Sequence, residues 1–115
     1  MRAVNCSRGT VLANEAAVAA KSWSRMRGLL GRRQLEPGEG LLLVPCRGVH
    51  TFGMAYPIDV VHLDDEGLVR LVVRRLKPWR LGPLVWGARM VLELPADSAA
   101  ACAGERLSLL PLEAG

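Results

Sequence analysis

The segment IDVVHLDDEGLVRLVVRRL, residues 58–76, has the most regular pattern in the chain. It begins with a short, mostly apolar run, as expected for a buried strand, and continues with Asp-Asp-Glu-Gly, which is typical of a turn. In the segment after the turn, apolar positions alternate with Arg70 and Arg74, so that one face is apolar and the other is charged. This arrangement predicts an antiparallel β-hairpin that is buried on one face.

Upstream of the hairpin, the sequence predicts strands and one helix. Residues 10–13 and 41–44 are short runs that suit strands, with a weaker strand signal at 18–20. Ser22 can cap a helix that Gly31 ends. The apolar stripe of this helix consists of Trp23, Met26, Leu29 and Leu30, at the spacing of one helical face. We therefore expect an amphipathic helix packed against a sheet.

Downstream of the hairpin, a loop rich in proline and glycine covers residues 77–88, and residues 90–94 alternate as a strand does. Asp97 can cap a short, alanine-rich helix over residues 97–103, and residues 107–110 predict the last strand. The combined order predicts an α+β fold, mostly antiparallel β. We expect a curved sheet or partial barrel with the amphipathic helix packed on it and a second short helix.

The composition limits the class of protein. The chain of 115 residues is 50% apolar and 23% charged, so residues 1–115 suit one folded domain. The net charge of +4 comes from basic residues spread along the sequence, and we expect no nucleic-acid partner. No apolar stretch approaches the roughly 20 residues of a membrane-spanning helix. The three widely spaced cysteines favour reduced thiols and a cytoplasmic location over a disulfide framework.

Three stretches of the sequence resemble one protein family. They are RGLL at 27–30, HTFGMAYPIDVVHLD at 50–64, and PWR at 78–80 followed by VLELPA at 91–96. Over about residues 10–111, the chain resembles the domain-of-unknown-function 192 family, in the branch with the signature HTF-x-M-x-x-PID-VV-x-LD. The resemblance implies a compact, mostly bacterial domain of mixed β and α structure. It implies no established reaction, catalytic residue or cofactor, and we expect no bound cofactor or metal.

The chain departs from the family pattern at three positions. Gly53 stands where the family more often has a large aromatic residue, His62 where Phe is usual, and Asp97 where Gly is usual. The first of these changes thins the expected aromatic cluster around Met54.

Few side chains near the signature could support catalysis or metal binding. The ligand-type residues there are Cys46, His50, Asp59 and His62. Asp59 and His62 are three residues apart, so on one strand they face opposite sides, which weakens a shared metal site. The sequence has neither a GxSxG nor an HExxH motif. A small hydrolase or metal-assisted enzyme centred on His50 and Asp59, with Cys46 as a further candidate, is our alternative interpretation.

Asp59 and Glu93 are charged residues inside apolar strands, so each must pair, face a cavity or stay hydrated. Arg27, at the end of the predicted helix, is a candidate partner through a bidentate bond. One interpretation is a buried network that fixes the helix on the sheet, and the other is a functional pocket. We favour the structural network, since buried ion pairs often contribute specificity of folding.

The loop at residues 77–88 is the strongest candidate for binding. It carries Trp79 and Trp86 with Arg80 between them, and a tryptophan in such a loop can present a flat face to a sugar, peptide or base. Alternatively, both tryptophans fold inward and plug the end of the barrel. We favour inward packing because the chain has so few aromatic residues.

Our interpretation of function is a non-enzymatic module that binds a small ligand or a protein partner. Its surface is expected to combine the 77–88 loop with residues 50–56, where His50 and Thr51 can also satisfy backbone groups of a turn. The predicted binding residues are Arg27, His50, Phe52, Met54, Asp59, Trp79, Arg80 and Glu93.

Overall fold

The described part of the chain folds into two β-sheets. The computed structural model describes residues 1–19 and 34–111, and within those ranges every regular element is a strand. The strands are β1 (Arg2–Asn5), β2 (Thr10–Ala13), β3 (Glu15–Ala19), β4 (Glu39–Leu43), β5 (Ile58–Leu63), β6 (Val69–Leu76), β7 (Met90–Pro95) and β8 (Leu107–Leu110).

The larger sheet has five strands in the order β3-β4-β7-β5-β6, and the smaller sheet has three in the order β2-β1-β8. In the larger sheet β3 and β4 run parallel, whereas β4 with β7, β7 with β5, and β5 with β6 run antiparallel. Both pairs in the smaller sheet are antiparallel. Strand β5, which carries the middle of the signature, is therefore paired along both of its edges.

The larger sheet is covered on both faces, which explains why every residue of β5 is buried. One face packs against the smaller sheet, and we call the apolar cluster between the two sheets the inter-sheet core. In this core, residues of the larger sheet contact residues of the smaller sheet: Val61, Leu63, Leu92 and Leu94 from the first, and Ala3, Leu12 and Leu107 from the second. The opposite face carries a second cluster, the loop-side core, formed by Leu41, Leu43, Val49, Met54, Ile58, Val60 and Val91. Full burial of each such Leu, Ile or Val contributes roughly 1.5–3 kcal/mol.

The predicted hairpin over residues 58–76 is present as β5 and β6. Its turn is held by the Asp64 carboxylate, which accepts hydrogen bonds from the backbone amides of Glu66 and Leu68, both at 2.9 Å. The Leu68 amide is the main reason that the pKa of Asp64 lies below its usual range. An acidic residue in the turn therefore organises the connection between the two strands.

The predicted α+β fold class is wrong, because the described residues form two β-sheets and contain no helix. The curved single sheet or partial barrel is likewise replaced by two sheets that share a core. The predicted amphipathic helix over residues 22–31 lies outside the described residues. Within residues 1–19 and 34–111, the structure contains no helix of the length and apolar character needed to cross a membrane.

The predicted short helix over residues 97–103 is replaced by turns. Asp97 has a φ of 70°, in the left-handed region that a right-handed helix excludes. The backbone amide of Ala99 donates to the Asp59 carboxylate at 3.0 Å, and the amide of Ser98 donates to the Pro95 carbonyl at 3.2 Å. The amides of Ala100 and Ala101 bond to carbonyls only two residues back, whereas a helix needs carbonyls four residues back, and Arg74 takes the carbonyls of Ala99 and Ala101.

Candidate functional site

Two loops are joined to each other over the loop-side core: residues 44–57, between β4 and β5, and residues 77–89, between β6 and β7. The Gly82 amide donates to the Val49 carbonyl at 2.9 Å, and the Val85 amide donates to the Arg47 carbonyl at 3.1 Å. His50 and Leu81 form an antiparallel bridge next to the Gly82–Val49 contact. We call this irregular two-stranded arrangement the loop ribbon.

Thr51 fixes one end of the loop ribbon. Its side chain is fully buried, and its hydroxyl donates to the Lys77 carbonyl at 2.5 Å while it accepts from the Arg80 amide at 2.9 Å. The hydroxyl therefore stands between the two ends of the turn at Pro78 and Trp79. The Thr51 carbonyl also accepts from the Trp79 amide at 2.9 Å. One threonine satisfies backbone groups that the turn leaves unpaired.

Two glycines allow the loops to approach this closely. A Cβ atom on Gly48 would lie 2.7 Å from the carbonyl oxygen of Pro83, and one on Gly82 would lie 2.9 Å from the carbonyl oxygen of Val49. Both neighbours are backbone atoms, so a larger residue at either position requires the loops to separate.

The outer side of the loop ribbon exposes large apolar side chains. Trp79 is 65% exposed and Trp86 is 80% exposed, so the predicted inward packing of these tryptophans is wrong. Phe52 stacks between His50, at 4.9 Å, and Trp79, at 6.4 Å, measured between ring centroids. We call the surface formed by Phe52, Trp79, Leu81, Leu84 and Trp86 the aromatic face.

A pocket of about 400 Å³ opens in the middle of the aromatic face. It is lined by Gly48, Val49, His50, Leu81, Gly82 and Leu84. Among these described lining residues, His50 is the only one with a titratable side chain. Its Nδ1 atom accepts a hydrogen bond from the Phe52 amide at 3.3 Å, so the proton of the neutral ring is on Nε2.

The two loops are basic. Residues 44–57 and 77–89 contain the cations Arg47, Lys77, Arg80 and Arg89 and no acidic residue. All four side chains are exposed. The Arg47 guanidinium lies 5.6 Å from the ring centroid of Trp86, in the geometry of a cation–π contact. The aromatic face is therefore apolar in its middle and positively charged around it.

Asp59 and Glu93 do not share a site, because they point to opposite faces of the larger sheet. Across the β5–β7 pair, Asp59 is opposite Leu94 of the inter-sheet core, whereas Glu93 is opposite Val60 of the loop-side core. The predicted network that joined both carboxylates to Arg27 therefore does not form as one unit. Arg27 itself lies outside the described residues.

The Asp59 carboxylate has a structural role in this geometry. It is fully buried, and its two oxygens accept hydrogen bonds from the backbone amides of Arg75, at 2.9 Å, and Ala99, at 3.0 Å. Arg74 supports the same segment by donating to the carbonyls of Ala99, at 2.5 Å, and Ala101, at 2.8 Å. Asp59 thus fixes residues 96–101 on the inter-sheet side.

The enzyme interpretation is not supported by the positions of its candidate residues. His50 lines the pocket on the loop side, whereas Asp59 lies on the other face of the sheet, so the two cannot act as an acid–base pair. The Cys46 thiol donates to the Gly48 carbonyl at 3.0 Å. Residues 1–19 and 34–111 contain no cluster of three or more His, Cys, Asp or Glu side chains suited to a metal ion.

His62 lies beneath the loop ribbon and was assigned no role from the sequence beyond possible metal ligation. It is 1% exposed, and its ring nitrogens face the carbonyls of Leu71 and Pro83 without reaching hydrogen-bond geometry. Burial lowers the pKa of His62, and the two carbonyls only partly oppose that effect. The ring is therefore neutral near pH 7.

Thr51 is absent from the list of predicted binding residues, but its predicted role in satisfying backbone groups of a turn is confirmed. The sequence did not indicate that the turn in question is the one at Pro78 and Trp79, in the other loop. Met54, which was predicted to bind, is 6% exposed and belongs to the loop-side core. The structure thus brings His50, Phe52, Trp79 and Arg80 to one surface and places Met54 beneath it.

Comparison with known proteins identifies the family. Residues 3–108 match the sequence model of the DUF192 family, which is described as Uncharacterized ACR. The chain belongs to the DUF192 family. This DUF192 protein is 30% identical over 100 residues to the UPF0127 protein of the archaeon Thermococcus sibiricus, and the match covers 80% of the chain. The same match covers 62% of the relative, so the chain spans less than two thirds of that protein's length.

Two crystal structures share the fold of this DUF192 protein. A proposed transcription regulator from Sinorhizobium meliloti superposes with a TM-score of 0.74 at 22% identity, over 93% of this chain and 89% of the other. A protein of unknown function from Novosphingobium aromaticivorans gives a TM-score of 0.75 at 19% identity, over 94% and 82% of the two chains. At these identities the likeness establishes the fold alone.

Proposed function

We propose that this DUF192 protein is a non-enzymatic binding module that holds a small ligand or a protein partner on the aromatic face. The observation that carries the proposal is the concentration of exposed large apolar side chains on two loops that are locked together. Five of the eight such side chains among the described residues belong to the aromatic face; the others are Val11, Val18 and Leu110. Exposed apolar surface that is gathered in one place usually marks an interaction site.

The backbone at Trp79 supports the same proposal. Trp79 has a φ of 59°, a left-handed conformation that is unfavourable for a large side chain. Such conformations cost of order 1–3 kcal/mol and persist where the surrounding structure enforces them, often at functional sites. Here the Thr51 contacts enforce it, and the result is a tryptophan held in solvent.

Rigidity of the surface also favours binding. The loop ribbon is fixed by its own backbone hydrogen bonds and by Thr51, so little conformational freedom is lost when a ligand docks. The pocket at its centre has the volume of many ligand sites. A cytoplasmic location and a bacterial source stay predictions from the sequence.

A screen of small-molecule fragments by protein NMR tests the proposal. We expect fragments that bind to shift the backbone amides of residues 47–52 and 79–86, and we expect the Trp79→Ala/Trp86→Ala double variant to lose these shifts. The melting temperature of that variant should stay within a few degrees of the parent, because both side chains are mostly exposed.

The matched control is Val11→Ala, which removes an exposed apolar side chain from β2. It should bind the same fragments as the parent protein. Fragments that cluster elsewhere on the molecule, or a large fall in melting temperature of the double variant, would contradict the proposal, since the tryptophans would then serve folding rather than binding.

A further inference from the structure

We infer that the partner held by the aromatic face is a peptide segment of another protein in which apolar side chains are flanked by carboxylates. This inference rests on the proposed function and adds the chemistry of the partner. It is carried by three features of the loop ribbon: its charge, its length and its central pocket.

The charge of the loop ribbon selects an acidic partner. Arg47, Lys77, Arg80 and Arg89 are exposed, and no residue of either loop is acidic. Within the described residues, none of these four cations forms an ion pair with a carboxylate. The Arg80 guanidinium makes only long hydrogen bonds within the described residues, at 3.5 Å to the carbonyls of Pro78 and Trp79. Opposite charges on a partner would steer its approach and fix its register.

The length of the loop ribbon selects an extended partner over a compact small molecule. The Trp79 amide bonds to Thr51 at one end, and Val85, next to Trp86, bonds to Arg47 at the other. The four residue steps from Arg47 to Thr51 correspond to about 13 Å in an extended strand. Contact with both tryptophans therefore needs a chain of several residues, whereas the pocket alone would suffice for a single small ligand.

The pocket also favours a peptide over a membrane surface. It is a recess with walls from Val49, Leu81 and Leu84 and a glycine at each side, which suits the insertion of one apolar side chain. A lipid surface would contact the protruding rings but would leave a recess fixed by backbone hydrogen bonds without a role. Tryptophan and arginine next to such pockets are the residue types that dominate binding energy in protein interfaces.

Selection from a displayed library of random peptides, about 12 residues long, tests this inference on the intact protein. We expect enriched peptides to combine Leu, Phe or Trp with Asp or Glu. A synthetic peptide of the enriched sequence should bind more weakly by at least about tenfold after Trp79→Ala or Trp86→Ala. Arg47→Gln and Arg80→Gln should each weaken binding and reduce its dependence on salt, because screening acts on charge pairs.

Matched controls are Val11→Ala for apolar exposure and Arg2→Gln for charge, and both should bind the peptide as the parent does. The inference that the partner is acidic would be overturned by either of two results. The enriched peptides would lack acidic residues, or the arginine variants would bind them as the parent does. Failure to enrich any peptide, together with sedimentation on phosphatidylglycerol vesicles that the tryptophan variants lose, would replace the peptide by a membrane surface. Fragment binding on the aromatic face without any peptide binding would overturn this inference and leave the proposed function intact.

Discussion

Asp59 and Thr51 are two buried polar side chains that each hold a distant loop, and they do so on opposite sides of the larger sheet. The Asp59 carboxylate binds the amides of Arg75 and Ala99 on the inter-sheet side. The Thr51 hydroxyl binds backbone groups of the 77–80 turn on the loop side. In both cases one side chain completes the hydrogen bonding of a segment that cannot complete its own.

The two held segments differ in what they show to solvent. In the segment held by Asp59, Ala99 and Ala101 are buried and no large apolar side chain is present. The loop held by Thr51 exposes Trp79 and Trp86. The same type of anchor therefore closes the core in one place and supports a surface in the other. It follows that loss of Asp59 should act mainly on stability, and loss of Thr51 on stability and on binding together.

The largest expected effect comes from Asp59→Ala. Removal of the carboxylate leaves the buried amide of Ala99 and the partly buried amide of Arg75 without an acceptor, and should lower the free energy of unfolding by about 3 kcal/mol. Urea unfolding followed by circular dichroism measures this loss. The control is Asp97→Asn, which removes an exposed ion pair with Arg75 and should change stability little. Equal effects of the two substitutions would show that Asp59 is not an anchor.

The next effect is that of Thr51→Val, which keeps the shape of the side chain but removes its hydroxyl. The Arg80 amide then loses its partner, and stability should fall by about 1–2 kcal/mol. Hydrogen exchange of the Arg80 amide should accelerate in this variant and stay slow in Thr51→Ser. If Asp59→Ala accelerates the same amide more than Thr51→Val does, the two anchors are not independent.

Hydrogen bonds between distant segments also explain where sequence-based prediction failed. The hairpin over residues 58–76 could be predicted because its alternation and its turn residues are local. The absent helix at 97–103 could not, because the carbonyl of Ala99 is taken by the side chain of Arg74, 25 residues away, which also binds the carbonyl of Ala101. The parallel pairing of β3 with β4 is likewise a long-range choice that no local pattern indicates.

For the candidate site, the sequence indicated the correct loops but not the direction of their side chains. In a chain with few aromatic residues, the tryptophans are expected to be buried in the core. Here Gly48 and Gly82 bring the two loop backbones so close together that the tryptophan rings lie on the solvent side of the loops. Asp59 and Glu93 looked equivalent as charges in apolar strands. Only the register of β5 against β7 reveals that they point to opposite faces.

His62, on the loop side of the larger sheet, makes the free energy of unfolding depend on pH. Burial lowers the pKa of His62 in the folded protein below the value near 6.5 that it has in the unfolded chain. At a pH between these two values, the unfolded chain carries a proton on His62 and the folded protein does not. Stability therefore should decrease as the pH falls below about 6.5, by up to about 1.4 kcal/mol per pH unit. His62→Phe lacks this contribution, so the difference in free energy of unfolding between the parent and the variant should change with pH. A difference that does not change between pH 7 and pH 5 would contradict it.

The smallest effect is a reversal in the relative stability of the glycine and alanine variants at position 79. At most exposed positions a glycine variant is less stable than an alanine variant. Trp79, however, has a φ of 59°, a backbone conformation that is strained for alanine and not for glycine. Trp79→Gly should therefore be more stable than Trp79→Ala by about 1 kcal/mol. Both variants should lose the ligands of the aromatic face to the same extent, because both lack the ring.

Trp86 provides the matched position for that reversal, since it is also highly exposed and the left-handed φ belongs to the following Gly87. Trp86→Gly should be less stable than Trp86→Ala, the usual order. Thermal unfolding of the four variants measures both differences. If glycine and alanine follow the usual order at both positions, the turn relaxes once the ring is gone, and the Thr51 contacts do not enforce the backbone on which the aromatic face depends.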